Sequence, residues 1–264
     1  MKIRMGLEGN RAQVITTARE IGSPVMVSAN ALWRRSSFSD QWKVYAGLDV
    51  ALDSGGFVAM KKYGGYRFTE DQYVGLASAM KPTWWAAMDF CCEPELAADQ
   101  AAIFRRIDST VEYLHRCQSA ASKASIRAPM PVLQGWRPED YCSGPIYDPG
   151  FVWPDLVGVG SVCRRRVHGP DGLLEVVAAL DKKVPPHVKF HLFGVKGTAL
   201  RHLAGHPRIE STDSMAHSMR ARWEAVEGGF PCDNQHRADH FRAWYRDAMQ
   251  KISASQGGPS IVGP

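Results

Sequence analysis

Residues 45–57 read Tyr-Ala-Gly-Leu-Asp-Val-Ala-Leu-Asp-Ser-Gly-Gly-Phe. The run Tyr45–Leu52 is short and mostly apolar, and it halts at Asp53-Ser54-Gly55-Gly56, a combination that favours a turn. A strand buried on both faces has this form: an apolar stretch closed by a polar or glycine end. The form recurs at Lys2–Leu7, Pro24–Ser28, Trp84–Asp89, Pro131–Gln134, Leu156–Gly160, Lys189–Gly194 and Arg208–Asp213, which with Tyr45–Leu52 makes eight.

The segments between these runs carry helical spacing. Leu173, Leu174, Val176, Val177 and Leu180 share one face after Pro170-Asp171-Gly172. Ile103, Ile107, Val111 and Leu114 make a second face, and Phe241, Trp244, Tyr245, Ala248 and Met249 a third. Strands separated by helices imply right-handed crossovers and a parallel sheet. An open doubly wound sheet calls for a phosphate loop after its first strand, but Gly6-Leu7-Glu8-Gly9 does not complete GxGxxG. Eight strands in 264 residues therefore predict a single α/β domain, a (β/α)8 TIM-type barrel. No repeat or linker divides it, so we expect the barrel over residues 1–252 and a flexible Gly/Ser/Pro-rich tail over 253–264.

Composition narrows the function classes. Hydrophobic residues make up 45%, with 24 glycines and 16 prolines, which excludes a disordered chain and a collagen-like repeat. No apolar run reaches a membrane span, and the N-terminus has no apolar signal region. The six cysteines (Cys91, Cys92, Cys117, Cys142, Cys163 and Cys232) form no CxxC pair and read as reduced thiols, so we expect a cytoplasmic protein. A net charge of +5 permits a nucleic-acid partner without demanding one.

In a parallel barrel, functional side chains gather where strands end. Those ends supply Asp53, Asp89, Gln134, Gly160, Gly194 and Asp213. Carboxylates so placed suit glycosidic chemistry, with one nucleophile and one acid/base, or recognition of the N1–H and amine edge of a guanine. Each has a plainer explanation. Asp-Ser-Gly-Gly is a good turn by itself, and an Asp at a strand end often caps the next helix.

The set nevertheless resembles the tRNA-guanine transglycosylase superfamily, most of all its DNA-acting branch that inserts 7-deazaguanines. Asp53-Ser54-Gly55-Gly56-Phe57 is similar to the family's DSGGF segment. Asp89, Gln134-Gly135 and Gly194-Val195-Lys196-Gly197 follow in family order, and Asp213 stands before Ala221-Arg222 as the family's nucleophile does. The resemblance implies Asp213 as nucleophile on the sugar C1′ and Asp53 as general acid/base. It further implies Asp89 and Gln134 as readers of the base edge, backbone contacts near Gly160, and Phe57 as a stacking platform. The expected activity is pentosyl transfer that replaces guanine in DNA with a free 7-deazaguanine base such as 7-cyano-7-deazaguanine. tRNA is the alternative substrate, and a non-catalytic nucleic-acid-binding barrel is the alternative from another class.

Members acting on tRNA carry a Cys-rich zinc site after the nucleophile. Here Cys232, His236 and His240 are the only candidates in that region and no fourth ligand is evident, so no cofactor is expected and zinc is the lesser reading. The missing Cys-rich motif favours DNA over tRNA. Arg164-Arg165-Arg166, Arg220 and Arg222 follow rim strands and are candidates for phosphate contacts, as are Arg34-Arg35 and Lys61-Lys62; a solvated basic loop is the plainer explanation. His217, one helical turn past Asp213, reads either as a site residue or as surface. Trp84, Trp85, Trp136 and Trp153 read as packing. A homodimer or a helper protein is left open by the sequence.

Overall fold

A computed structural model describes residues 1–9 and 11–256. Eight parallel strands form its central sheet: β1 (Lys2–Leu7), β2 (Val25–Ser28), β3 (Val50–Asp53), β4 (Trp84–Trp85), β5 (Val132–Leu133), β6 (Leu156–Val159), β7 (Lys189–Leu192) and β8 (Ile209–Ser214). Their hydrogen-bonded order is β4-β3-β2-β1-β8-β7-β6-β5, the circular order of a TIM-like curl. The principal helices are α1 (Ala12–Glu20), α2 (Glu70–Met80), α3 (Gln100–Lys123), α4 (Leu173–Lys183), α5 (Ala216–Gly228) and α6 (Asn234–Gln256).

All eight expected strands exist, with shifted limits. The largest shift is in the third: Asp40–Tyr45 is a 3-10 helix, Gly47 turns the chain at φ +81°, and pairing begins only at Val50. The seam between β4 and β5 also departs from expectation, because the ladder is not closed there. One isolated bridge, Ala86 with Met130, spans it; Met130 N–H donates to the Trp85 carbonyl (2.8 Å) and Ala87 N–H to the Met130 carbonyl (2.9 Å). Two residues explain why pairing goes no further. Pro131 has no N–H to give, and the Asp89 N–H donates to the Tyr66 hydroxyl (2.8 Å) instead of to a strand.

Strand alternation sorts each side chain to one of two layers. Met5, Leu7, Val25, Val27 and Leu52 point outward onto α1 and α2, through Val14, Ile15, Ala18, Tyr73 and Leu76. On the other side Val157, Val159, Phe190 and Leu192 pack on α4 through Val176, Val177 and Leu180. Met26, Ala51, Trp84, Ala86, Met130 and Val132 face inward. Beneath them the buried Arg4 stacks on Trp84 (5.3 Å) and pairs with Asp49 (3.0 Å), plugging the sheet interior with a cation paired through one end of its guanidinium. The final helix lies against α1 and α5 and continues through Gln256, so residues 253–256 are helical; the rest of the expected tail, 257–264, lies outside the described residues.

Candidate active site

The period of two that buries the sheet interior also builds the site. In β3, Ala51 faces inward, so Asp53 does; in β5, Val132 carries Gln134 inward, and in β6 Gly158 carries Gly160. Ser211 of β8 meets the inward His191, which places Asp213 on the same side two residues later. These ends line one cavity of about 1300 Å³, together with Asp89, Phe57 and Gly194.

Asp89 is buried and held from several sides. Ser54 Oγ donates to its Oδ1 (2.9 Å), Gln134 Nε2 donates to its Oδ2 (2.5 Å), and Tyr66 OH bonds its backbone carbonyl (2.9 Å). Gln134 Oε1 accepts from Ser161 Oγ (2.6 Å), which also accepts the Cys92 N–H (2.6 Å), so the amide cannot flip without breaking the chain of bonds. Gly56 is required here: a Cβ would fall 2.5 Å from the Asp89 carbonyl and 2.6 Å from its Oδ1. Gly160 gives Gln134 its space in the same way, its Cβ falling 2.2 Å from Nε2.

Asp213 is fixed differently. Its Oδ1 accepts the Gly194 N–H (2.7 Å) and lies 3.4 Å from His191 Nε2. That second contact is long for a hydrogen bond, and Nε2 has no other partner; Nδ1 sits 2.8 Å from Ser211 Oγ. Burial lowers the His191 pKa, so the ring is neutral, with Nδ1 free to accept from Ser211 and Nε2–H directed at the carboxylate.

Burial acts on the proton affinity of two carboxylates, Asp53 and Asp89. Burial, then the Asp89 charge, pushes the Asp53 pKa up to about 7, with Asp213 adding to the rise and the Gly55 N–H opposing it. Burial also raises Asp89, against the hydrogen bonds from Ser54, Gln134 and Tyr66 that favour its anion. Cys91 and Cys163 line the same cavity, but burial pushes both thiols up to about 12, so they offer no thiolate nucleophile near neutral pH. A cavity floored by three carboxylates and a fixed carboxamide, one acid poised near neutrality, suits proton transfer to a base and attack on an electrophilic carbon.

The model of one protein family, deoxypurine in DNA protein A (DpdA), matches residues 10–256, nearly the whole chain. This chain belongs to the DpdA family. The membership ties the chain to modification of purines in DNA. No curated protein matches the sequence.

In this DpdA family member the expected residues fall into three groups. Asp53, Gly55, Gly56, Phe57, Asp89, Gln134, Gly160, Gly194 and Asp213 line the cavity. Ser54 and Gly135 lie behind its wall, Ser54 bracing Asp89. The basic run does not act as one patch. Arg164 reaches the cavity but pairs with Glu95 (3.1 Å) and Glu93 (3.5 Å). Arg165 turns inward, against expectation: its guanidinium donates to the Ser161, Asp171 and Gly135 carbonyls and to Tyr141 OH, and stacks on Trp136 (4.4 Å). No phosphate could reach it. Arg166 and Arg220 are exposed outside the cavity lining, and Arg222 pairs with Glu8 (3.1 Å).

His217 is neither surface nor site; it is buried and donates to the Gly6 carbonyl (2.9 Å), and burial lowers its pKa to about 4. Of the zinc candidates, His236 and His240 stand one turn apart on α6 with Glu224 of α5, their ligand atoms within 4.8 Å of one another, and Cys232 is outside the group. Glu224 already accepts from His240, and His236 Nε2 bonds the Ala221 carbonyl (3.0 Å). Three such side chains could hold zinc with one position open; the Nε2 of each ring already has a protein partner, and none of the three lines the cavity. Two site groups escaped the sequence reading. Tyr66 sits in a loop with no motif, and His191 lies mid-strand, where only the strand's register reveals that it faces Asp213.

Proposed function

We propose that this protein replaces guanine in DNA with a 7-deazaguanine by a double displacement through a covalent Asp213–deoxyribose intermediate. The observation that carries this reading is the Asp53–Asp89–Asp213 cluster, whose members are held in unlike environments on one cavity floor. In the first half, an Asp213 oxygen bonds to C1′ as the C1′–N9 bond breaks. The electron pair passes to the departing guanine, and a proton from Asp53 neutralises it. In the second half, Asp53 takes the N9 proton of the incoming base, whose nitrogen attacks C1′ and expels Asp213. A group with a pKa of about 7 serves both directions, because either protonation state is accessible near neutrality. The Gly194 N–H holds Asp213 Oδ1, with His191 Nε2 facing the same oxygen at 3.4 Å, which orients the carboxylate for attack. Asp89, whose carboxyl group is oriented by Ser54 and Gln134, suits the two adjacent donors of a guanine-like edge.

Incubation with a labelled 7-cyano-7-deazaguanine and either DNA or tRNA tests the reading. Label entering DNA in exchange for guanine supports it. Label entering only tRNA, or neither polymer, overturns it.

A further inference from the structure

The mouth of the cavity is asymmetric in charge. Taken in sheet order, the loop after β3 brings Phe57, Lys62 and Tyr63 to the mouth, the loop after β2 brings Arg34, and the start of α1 brings Arg11. Met219 and Trp223 follow on α5, then Lys196 after β7. Among the described residues, none of Arg11, Arg34, Lys62 and Lys196 pairs with a carboxylate. The acids at the mouth are already engaged: Glu8 by Arg222 (3.1 Å) and Arg237 (3.8 Å), and Glu93 by Arg164 (3.5 Å). The sector after β4 and β6 is thus neutralised, while the arc from β3 to β7 keeps uncompensated cations.

The same arc carries exposed aromatic surface on Trp223 and Phe57, whereas the Tyr63 ring there is already covered by the Arg67 guanidinium (3.9 Å) and the Lys62 ammonium (5.2 Å). Trp223 is 63% exposed, with Phe57 44%, Tyr63 39% and Met219 42%. Trp223 stands one helical turn beyond Met219, so both present to the mouth from one face of α5. Cations interleaved with open aromatic faces are what a single-stranded polynucleotide requires: phosphates meet the charges, and unstacked bases cover the rings. A duplex satisfies its bases internally and has no use for such rings. A cavity of about 1300 Å³ is also larger than a single small ligand needs.

We propose that this arc is a track for single-stranded or locally opened DNA, in which Trp223 and Met219 stack a base next to the target and Arg11, Arg34, Lys62 and Lys196 hold flanking phosphates. The proposal rests on the reading of the cavity as a DNA site, and it specifies the strandedness of the substrate and the path of the strand. The target guanine enters extruded, because the floor carboxylates lie too deep for a stacked base.

The test uses the full chain and a fluorescein-labelled oligodeoxynucleotide containing one guanine, alone or annealed into a blunt duplex, followed by anisotropy over a salt series. We expect the single strand to bind more tightly than the duplex. Trp223→Ala should weaken single-strand binding about tenfold without altering the salt slope. Arg11→Gln and Arg34→Gln should each lower the log–log slope by about 0.7, and Arg166→Ala, outside the cavity, should change neither quantity. The track is refuted by wild-type binding in Trp223→Ala, by a duplex bound as tightly as its single strand, or by unchanged slopes in both arginine variants. Self-association that Trp223→Ala abolishes would instead assign the α5 face to a second copy. Binding does not require turnover, so a chain that follows every expectation but exchanges no base would refute the proposed reaction and leave the track standing.

Discussion

Replacing Asp53 by asparagine should make the protein more stable while disabling it. An aspartate in the unfolded chain ionises near 3.8, whereas burial and the Asp89 charge bring Asp53 to about 7 in the fold. Between those values the native state holds a proton that the unfolded state has released, so stability falls as pH rises. The loss is absent below the lower value and complete above the higher one. At about 1.4 kcal/mol per pH unit, the ionised group costs the fold about 4 kcal/mol near pH 8 and about 2 kcal/mol near pH 5. A carboxamide at this position cannot ionise and keeps an oxygen for the Gly55 N–H. Asp53→Asn should therefore exceed the native protein by about 4 kcal/mol near pH 8, the gap narrowing toward pH 5. Urea unfolding of both proteins at the two pH values measures it. A variant no more stable than the native protein near pH 8, or a gap independent of pH, would show that Asp53 is an ordinary solvated carboxylate, and its acid/base role would go with it.

Other substitutions separate structure from chemistry. Arg165→Met strands buried carbonyls and the Tyr141 hydroxyl, and should cost about 3 kcal/mol in urea unfolding while leaving the salt slope of DNA binding unchanged; a lowered slope would return Arg165 to the phosphate contacts. Gln134→Leu removes a hydrogen bond to a buried carboxylate and should reduce kcat/KM for the incoming base about 10- to 100-fold, whereas an unchanged value would remove Gln134 from base recognition. His191→Phe keeps the ring but loses the Nε2–H facing Asp213; kcat should fall about tenfold with KM for DNA unchanged. His191→Gln, which retains a donor, should recover part of that loss, and equal effects of the two variants would make His191 mere packing.

The fold was readable because burial on both faces leaves parallel strands as apolar runs with polar ends, and each of the eight runs became a strand. The cavity floor was readable for the same reason: Asp53, Gln134, Gly160 and Asp213 sit where those runs stop. Three-dimensional direction was not readable. Arg164, Arg165 and Arg166 are alike in composition, yet one pairs with glutamates, one is buried on Trp136 and one points to solvent. Glu224 lies on a different helix from His236 and His240, so no local spacing could join them, while the neighbouring Cys232 stands outside the group. The incomplete ladder at the β4–β5 seam likewise depends on Tyr66, a loop residue that takes the Asp89 N–H for itself.

The central claim is that Asp213 bonds to the sugar. Denaturing gel electrophoresis of the enzyme after incubation with end-labelled DNA reads that bond directly. The native protein should carry label through denaturation, and Asp53→Asn, with its nucleophile intact, should carry a reduced amount. Asp213→Asn should carry none, although it still binds the DNA before denaturation. A labelled adduct that persists in Asp213→Asn would contradict the account and move the nucleophile to Asp53.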